Sequence, residues 1–417
     1  MQEKMFEKGM IPSLKSRHLV LGVTGSIAAY KACEVLRHFV KAGAEVQVVM
    51  TESARHFVGP LTLETLSGRE VITELFPAHK TVKTRHVHLA EWADGLLICP
   101  ATANIIAKAA RGIADDFLST LLLAARSPIW IAPAMDYQMA VNPAYLANVD
   151  ILKNRGVQFI DFEQGELASG AVGPGRLASP ESIFYRLTCG LVSSSSLRGQ
   201  RILVTAGPTR EALDPVRYLS NRSTGKMGAA CAIAAEWRGA EVTLIAGPLG
   251  IDIPQTGSMK LISVESADEM KKAVLENWPS HNILVMAAAV ADYRPRHISK
   301  QKIKKDQKPM LLELEKTDDI LSTVKKQRSK GIVVGFALET EDGENRAQEK
   351  LKDKGLDFIC LNNPMEPSSG FATDTNRIVF FDSQGNRESL PVMSKFEVAE
   401  FILNKIESRL REGTIHG

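Results

Sequence analysis

The sequence predicts an α/β protein made of two doubly wound, Rossmann-like domains with mainly parallel sheets. Short continuous apolar runs such as LVLGV, LLICPA, ILVTA and IVVGFA recur along the chain, and such runs are typical of strands covered by helices on both faces. Two of them open a unit of strand, glycine turn, amphipathic helix and second strand. The length of 417 residues also exceeds the ~100–200 residues of an ordinary single domain.

The first of these units begins at His18 and ends at Thr51. It reads as an apolar strand, a turn containing Gly25, an amphipathic helix stopped at Gly43, and a second strand. The polar residues 1–17 before it are predicted to be a leader. The first domain is predicted to span residues 18–190.

The second unit begins at RILVTAGP and repeats the pattern, with a helix stop at Gly239. Just before it, residues 191–198 include the run Ser193–Ser196, which has no apolar periodicity. Such a segment is typical of a linker, so the second domain is predicted to span 199–417. Ligands of doubly wound domains bind at the carboxyl ends of the strands.

Charge and cysteine usage exclude several classes of protein. Lys and Arg number 51 and Asp and Glu 48, a net charge of +3, too small to make nucleic acid or a membrane surface the main partner. No apolar run approaches the ~18–20 residues of a membrane span, and the first 17 residues lack the core of a signal peptide. Five cysteines stand far apart without a CxxC pair, which favours free thiols and a cytoplasmic protein.

The first glycine turn is not a dinucleotide fingerprint. GVTGSIA has Gly22 and Gly25 but no GxGxxG, and the second strand ends without a clear ribose-binding acid, which disfavours a nicotinamide dehydrogenase. The turn still places N–H groups and hydroxyls at a helix N-terminus, where a phosphate can bind. Taken alone, it fits a purely structural turn equally well.

Five motifs in one order resemble the flavin-dependent cysteine decarboxylases, specifically the phosphopantothenoylcysteine decarboxylases: GSIAAYK, RHVHLAEWAD, PATANIIAKAARGIADDFLST, APAMDYQM and ELASGAVGPGR. The resemblance implies FMN held between subunits of a homo-oligomer, which oxidises the cysteine side of the substrate so that its carboxyl group can leave. It also implies a set of flavin-contacting residues: Gly25, Ser26, Ile27, Thr51, Ala101, Thr102, Asn104 and Ser119.

Three further positions concern the decarboxylation chemistry. The resemblance assigns the catalytic histidine to His86, whose ordinary pKa near neutrality suits proton transfer. The family's substrate-binding asparagine is replaced by Asp136, and its proton-donating cysteine by Ser169. An ionised aspartate would repel a carboxylate, and a serine hydroxyl is a weaker acid than a thiol. The first domain is therefore either a decarboxylase with an altered proton donor or a flavin-binding scaffold.

The second domain combines three anion-binding signals. TAGPTREALDPVRYLSNRSTGKMG joins a glycine turn to a helix entry, without the Walker pattern GxxxxGK[ST]. MAAAVADYRP reads as a buried strand that ends in Asp292, and KQKIKKDQK packs five lysines into a polar stretch. Such a run is usually a solvated surface, yet after a strand-terminal aspartate it also suits a triphosphate.

Together these segments resemble the phosphopantothenate–cysteine ligases of bacterial bifunctional coenzyme A biosynthesis proteins. The resemblance implies that CTP is the co-substrate and that Mg²⁺ screens its triphosphate. It implies that Arg217 and Asn221, with Ala289 beside them, act on an acyl-cytidylate, and that Lys302 stabilises charge during attack on the α-phosphate. It further implies the nucleotide-binding residues Met286, Ala287, Ala288, Asp292, Asp318, Asp319, Ile320, Leu321, Phe336, Lys350 and Lys354.

The sequence thus predicts a bifunctional enzyme whose small-molecule substrates are 4′-phosphopantothenate, cysteine and CTP. The second domain makes phosphopantothenoylcysteine, and the first decarboxylates it to 4′-phosphopantetheine. One alternative keeps the ligase but makes the first domain an inactive FMN-binding scaffold, because of Asp136 and Ser169. Another, a purely regulatory flavoprotein, is opposed by the Asn221, Asp292 and Lys302 set.

Overall fold

The computed structural model describes residues 12–76, 84–166, 170, 172–253, 258–304, 310–327, 331–339, 342–363, 370 and 373–415. Ser169, one of the predicted catalytic positions, lies outside the described residues. The described chain falls into two compact units, one from Ser13 to Val192 and one from Ser193 onward. Within them, no helix is both long and apolar enough to cross a bilayer.

The first unit alternates strands and helices along most of its length. Short 3₁₀ turns at Ile27–Tyr30 and Glu52–His56 follow its first two strands. Its elements are β1 (His18–Val23), α1 (Lys31–Lys41), β2 (Glu45–Met50), α2 (Pro60–Ser67), α3 (Arg85–Trp92), β3 (Gly95–Ala101), α4 (Ala103–Arg111), α5 (Phe117–Ala124), β4 (Ile129–Pro133), α6 (Tyr137–Ala140), α7 (Pro143–Asn154), β5 (Gln158–Phe159), β6 (Glu163–Glu166), β7 (Val172–Arg176) and α8 (Pro180–Val192).

Five of these strands form a parallel sheet in the order β2-β1-β3-β4-β5. Every residue of β3, the central strand, is buried, which explains its uninterrupted apolar sequence. α1 buries one stripe against the sheet, including Val35, Leu36 and Phe39. β6 and β7 pair separately as an antiparallel hairpin, which we call the flap hairpin.

The predicted leader and the predicted linker, at the two ends of the first unit, both include residues that pack against the fold. Leu14, within the predicted leader, is fully buried, and its N–H donates to the Ala42 carbonyl at 2.8 Å. In the predicted linker, the first two residues belong to α8. Leu197 is also fully buried, and its N–H donates to the Arg238 carbonyl at 2.9 Å. Serine content alone does not reveal these apolar anchors.

The second unit carries a larger sheet and three small two-stranded sheets. Its elements are β8 (Arg201–Ala206), β9 (Arg210–Ala212), β10 (Tyr218–Ser220), α9 (Lys226–Trp237), β11 (Glu241–Ala246), β12 (Lys260–Ser263), α10 (Ala267–Asn277), β13 (Ile283–Met286), β14 (Tyr293–Pro295), β15 (Leu314–Lys316), α11 (Ile320–Gln327), β16 (Ile332–Leu338), α12 (Gly343–Asp353), β17 (Phe358–Asn362), β18 (Thr375–Asn376), β19 (Ile378–Asp382), β20 (Arg387–Ser389), β21 (Met393–Ser394) and α13 (Lys395–Ile415).

The main sheet of this unit has the order β12-β11-β8-β13-β16-β17-β19-β20. Its first six strands are parallel, and β19 and β20 add an antiparallel edge. The predicted mainly parallel α/β class is therefore confirmed in both units. β9 pairs with β10, β14 with β15, and β18 with β21, as antiparallel ribbons outside this sheet.

Candidate functional site

A cavity of about 880 Å³ lies at the carboxyl ends of the strands in the first unit. Five of the predicted residues line it: Gly25, Ser26, Ile27, Thr102 and Asp136. They come from the ends of β1, β3 and β4, where a doubly wound sheet places its ligands. The other lining residues are Ala28, Tyr30, Lys31, Ala103, Ala134, Met135, Met139, Gly175, Arg176 and Leu177.

The turn after β1 is built for close approach of another group. A Cβ on Gly25 would stand 2.5 Å from the Ser53 Cβ, so only glycine fits there. Ser26 caps the following 3₁₀ turn through its hydroxyl, which accepts the Ala28 N–H at 3.3 Å. Thr24 fixes the turn against β3, because its hydroxyl donates to the Pro100 carbonyl at 2.7 Å. Sequence reasoning missed this role of Thr24.

Thr51 supplies a buried hydroxyl next to that turn. Its N–H donates to the Val23 carbonyl at 3.0 Å, which fixes the residue at the end of β2. Its Oγ1 is buried and has no hydrogen-bond partner among the described residues, an arrangement that costs free energy unless a ligand supplies one. The orphaned hydroxyl and the tight cradle at Gly25 fit a flavin bound by its phosphate.

Asp136 begins α6 as its N-cap. Its Oδ1 accepts the Gln138 N–H at 3.0 Å, a role that asparagine fills equally well. The flap hairpin lies directly against this segment, since the Met135 N–H donates to the Gly175 carbonyl at 3.0 Å. Gly175 has φ of +136°, and a Cβ there would stand 2.4 Å from the Met135 oxygen. Gly175 of the flap hairpin is therefore required by contact.

Two cationic side chains line the same cavity, Lys31 and Arg176. Burial, and next the positive charge of Arg176, lower the pKa of Lys31, while Glu163 and Glu34 oppose that shift. Two nearby cations make this wall suited to an anionic group of a ligand. Sequence reasoning missed Lys31, although it ends the quoted motif GSIAAYK.

Besides Thr51, four described residues predicted for the site of the first unit do not line the cavity. His86 is half-buried on α3, Asn104 is exposed on α4, and Ala101 is fully buried at the end of β3. Ser119 completes the capping box of α5, with its N–H bound to Asp116 at 2.7 Å and its hydroxyl to the same side chain at 2.9 Å. Its hydroxyl therefore serves the helix.

The second unit holds a cavity of about 690 Å³ at the carboxyl ends of β13, β16 and β17. All predicted residues of this unit except Arg217 and Lys302 line it. They are Asn221, Met286, Ala287, Ala288, Ala289, Asp292, Asp318, Asp319, Ile320, Leu321, Phe336, Lys350 and Lys354. Segments far apart in the chain thus meet at one edge of the sheet.

Asn221 fixes the loop after β13. Its Nδ2 donates to the Ala289 carbonyl at 3.0 Å and to the Val290 carbonyl at 3.3 Å. The Ala289 N–H in turn donates to the Gly207 carbonyl at 2.9 Å. These bonds hold the loop open along the cavity wall, so its backbone groups can face a nucleotide.

Two lysines at the end of α12, Lys350 and the C-cap residue Lys354, line the cavity in different surroundings. Lys350 donates from Nζ to the Phe336 carbonyl at 2.9 Å, and burial lowers its pKa. The Lys354 ammonium lies 2.5 Å from Asp319. Burial alone would raise the pKa of Asp319, but Lys354 and the Ser322 N–H hold it below its usual value.

The structure adds polar residues to this cavity that sequence reasoning missed. Lys395 is 3% exposed, and its Nζ donates to the Gly370 carbonyl at 3.1 Å. Asn376 is equally buried. The further polar lining residues are Ser223, Lys316, Thr317 and Asn362. Asn362 and Asn376 carry one sequence signal, their position at the end of a strand. Lys395 is the first residue of the last helix and carries no such signal.

Arg217 and Lys302 lie together outside this cavity. The Arg217 Nη1 donates to the carbonyl of Ile303, which follows Lys302, at 3.0 Å. The Lys302 side chain is exposed. The structure therefore brings these two predicted catalytic residues close together within one chain.

Comparison with known proteins covers both units. Residues 197–410 match the model of the DNA/pantothenate metabolism flavoprotein C-terminal domain, and residues 11–189 match the flavoprotein model. The chain is 45% identical over 395 residues to the coenzyme A biosynthesis bifunctional protein CoaBC of Bacillus subtilis, covering 94% of this chain and 97% of the relative. It is 42% identical over 401 residues to the Vibrio cholerae protein of that name, covering 95% and 100%. A crystal structure of a CoaBC C-terminal domain is 38% identical, with a TM-score of 0.45, over 52% of this chain and 100% of that one.

Proposed function

The chain belongs to the family of coenzyme A biosynthesis bifunctional proteins, and from that premise we propose that it catalyses two consecutive reactions. In the first, the carboxylate of 4′-phosphopantothenate attacks the α-phosphate of CTP and releases pyrophosphate. The cysteine amine then displaces CMP from the acyl-cytidylate. In the second, the resulting phosphopantothenoylcysteine loses CO₂ with the help of FMN and becomes 4′-phosphopantetheine.

The cavity of the second unit is the observation that carries the ligase reaction. It gathers almost every residue that the sequence assigns to the nucleotide, from five separate stretches of the chain. Lys350 and Lys354 offer positive charge to a triphosphate, and the loop held by Asn221 offers backbone groups to the base and sugar. Lys395 adds a third cation to the same wall, and it alone of the three is fully buried.

Mg²⁺ accompanies the triphosphate in this proposal. Mg²⁺ commonly keeps several waters and binds through phosphate oxygens with one or two carboxylates. Asp292 and Asp319 line the cavity and can provide such carboxylates. No cluster of three or more His, Cys, Asp or Glu side chains suited to a metal occurs in the described ranges.

The cavity of the first unit supports the decarboxylase reaction. FMN, when bound, supplies the oxidation of the cysteine side of the substrate and its later reduction. The turn at Gly25 and the Thr51 hydroxyl hold its phosphate, and Lys31 and Arg176 face the anionic groups of the substrate. Asp136 caps α6 with one oxygen, so its charge is partly neutralised by backbone N–H groups. The inactive-scaffold alternative is not favoured, because relatives named as bifunctional match both units.

We further propose that the chain acts as a homo-oligomer. Large apolar side chains are exposed around the first unit, among them Leu61, Phe76 and Leu123, and such groups commonly mark interfaces. In the second unit, Val216, Ile298 and Leu311 are likewise exposed. Because His86, Arg217 and Lys302 lie away from the cavities of their own chain, another copy can bring them to these cavities.

One experiment separates the two reactions. Purified protein is supplied with 4′-phosphopantothenate, cysteine, CTP and Mg²⁺, while pyrophosphate and CO₂ are measured separately and the flavin spectrum is recorded. Phosphopantothenoylcysteine is also added directly. We expect Lys302→Ala to lower pyrophosphate release strongly, to a residual rate that is still measurable, while it keeps CO₂ release from the added intermediate. We expect His86→Asn to lower CO₂ release strongly and to keep pyrophosphate release. Pyrophosphate without CO₂, even from the added intermediate, would contradict the decarboxylase proposal.

A further inference from the structure

Asp214 is a buried acid in the turn between β9 and β10. Its side chain is inaccessible to solvent, yet three backbone N–H groups surround its carboxylate. Oδ1 accepts the Val216 N–H at 2.7 Å and the Arg217 N–H at 2.8 Å, and Oδ2 accepts the Ile303 N–H at 3.0 Å. Burial alone would raise the pKa of Asp214, but these N–H groups and the charge of Arg217 hold it below its usual value.

Arg217 also binds Ile303, and so strengthens the contact between the Asp214 turn and the Lys302 segment. Its Nη1 donates to the Ile303 carbonyl at 3.0 Å and lies 3.5 Å from the Asp214 Oδ2. Both backbone polar groups of Ile303 are therefore held by one ion pair. A backbone bond from Ser299 N–H to the Leu213 carbonyl, 3.0 Å long, supports the contact.

We propose that Asp214 is a positioning residue of the ligase reaction, which holds Arg217 and Lys302 at a fixed separation so that they act as one unit. The inference rests on the proposed function, because the roles of Arg217 and Lys302 come from it. Asp214 itself does not line the nucleotide cavity. It sets the backbone of Arg217 through Oδ1 and the residue after Lys302 through Oδ2.

The two carboxylate oxygens bind different groups: Oδ1 binds the turn and Oδ2 binds Ile303. Replacing Oδ2 therefore breaks the bond to Ile303 and keeps the turn. Asp214→Asn keeps one carbonyl oxygen for the two N–H groups of the turn. Its amide nitrogen is a donor and cannot accept the Ile303 N–H. Asp214→Ser also keeps a turn acceptor, since serine hydroxyls close similar turns, but its side chain is too short to reach Ile303. Both variants thus release the Lys302 segment.

The matched control is Asp382→Asn. Asp382 also closes a turn with its Oδ1, which accepts the Gln384 N–H at 2.9 Å and the Asn386 N–H at 2.8 Å. It lies at the end of β19, away from the nucleotide cavity. The same chemical change there leaves Arg217 and Lys302 untouched.

The test measures pyrophosphate release, CTP affinity and the melting temperature. We expect Asp214→Asn and Asp214→Ser to lower kcat about 10- to 100-fold, the range of a lost hydrogen bond to a charged group. Their CTP Kd should match wild type. Asp382→Asn should keep wild-type kcat and CTP Kd, with a melting temperature lowered by the loss of its charged contacts to Asn386. In a double-mutant cycle, Asp214→Asn should add less than threefold to the loss caused by Lys302→Ala, because the two act together.

Three outcomes would overturn the proposal. A wild-type kcat in both Asp214 variants would show that the bond between Asp214 and Ile303 is not needed. A double variant whose loss equals the product of the two single losses would show that Asp214 acts independently of Lys302. Loss of CTP binding in both variants shows a general structural role. If wild-type protein itself releases no pyrophosphate, the ligase function fails, and this inference fails with it.

Discussion

Replacement of Gly175 by alanine should disable the first cavity selectively. Gly175 has φ of +136°, which costs an L residue about 1–3 kcal/mol. Its new Cβ would stand 2.4 Å from the Met135 oxygen, so the flap hairpin has to move away by about 1 Å to regain an ordinary contact. That movement also breaks the bond from the Met135 N–H to the Gly175 carbonyl, worth about 1 kcal/mol.

A displacement of about 1 Å at a reacting group can cost about 100-fold in rate. We therefore expect Gly175→Ala to lower CO₂ release from added phosphopantothenoylcysteine by about that factor. Pyrophosphate release should stay at the wild-type level, because the second unit is untouched. The two rates are measured on the same protein sample, so ligation serves as an internal reference for the amount of folded enzyme.

Gly112→Ala is the matched control. Gly112 also has positive φ, +72°, but no atom lies within 4 Å of the position of its Cβ. It ends α4 as a left-handed cap, so the variant carries only the conformational cost of about 1–2 kcal/mol. Gly175→Ala with decarboxylation within threefold of Gly112→Ala would refute the argument that the flap contact positions the site.

The remaining predictions concern stability and ligand affinity. Arg238→Ala should destabilise the second unit by about 2–4 kcal/mol, because it leaves Glu400 and Glu407 without their partly buried partner. The free energy of unfolding from chemical denaturation checks this. The control Arg387→Ala, at an exposed ion pair, should change that free energy little. Thr51→Val should lower flavin content measured by absorbance without lowering the melting temperature of the flavin-free protein, since its hydroxyl has no described partner to lose. For Lys350, whose folded pKa is lowered, the unfolded state binds more protons. Wild-type stability relative to Lys350→Met should therefore rise with pH between that lowered pKa and 10.5; a flat difference in melting temperature over pH 7–10.5 contradicts this.

The central strands of both main sheets could be predicted because they are buried on both faces. β3, β8 and β13 are continuous apolar runs whose burial leaves no polar alternation. The flap hairpin and the ribbons β9–β10 and β14–β15 are short and carry polar or exposed residues. These strands are too short to show a periodicity, and their pairing depends on tertiary packing more than on local propensity.

The cavity of the second unit was also predictable, since most of its predicted residues lie at or just after strand ends. Met286 ends β13, and Phe336 lies on β16 near its end, so parallel topology alone brings their segments to one edge. Lys31 and Lys395 were not predictable in this way. Each is a lysine on a helix, and only burial against the cavity distinguishes it from the many solvated lysines of the chain.

The positions of His86, Arg217 and Lys302 could not be predicted from residue identity alone. A motif identifies which side chain suits proton transfer or charge stabilisation, but catalysis also requires that the group reach the reacting atoms. Arg217 and Lys302 are joined through Ile303 and stand outside the nucleotide cavity of their own chain. Such an arrangement works when these side chains complete a cavity of another copy. The exposed apolar residues Val216 and Ile298, in the same two segments, give that contact an apolar surface to bury.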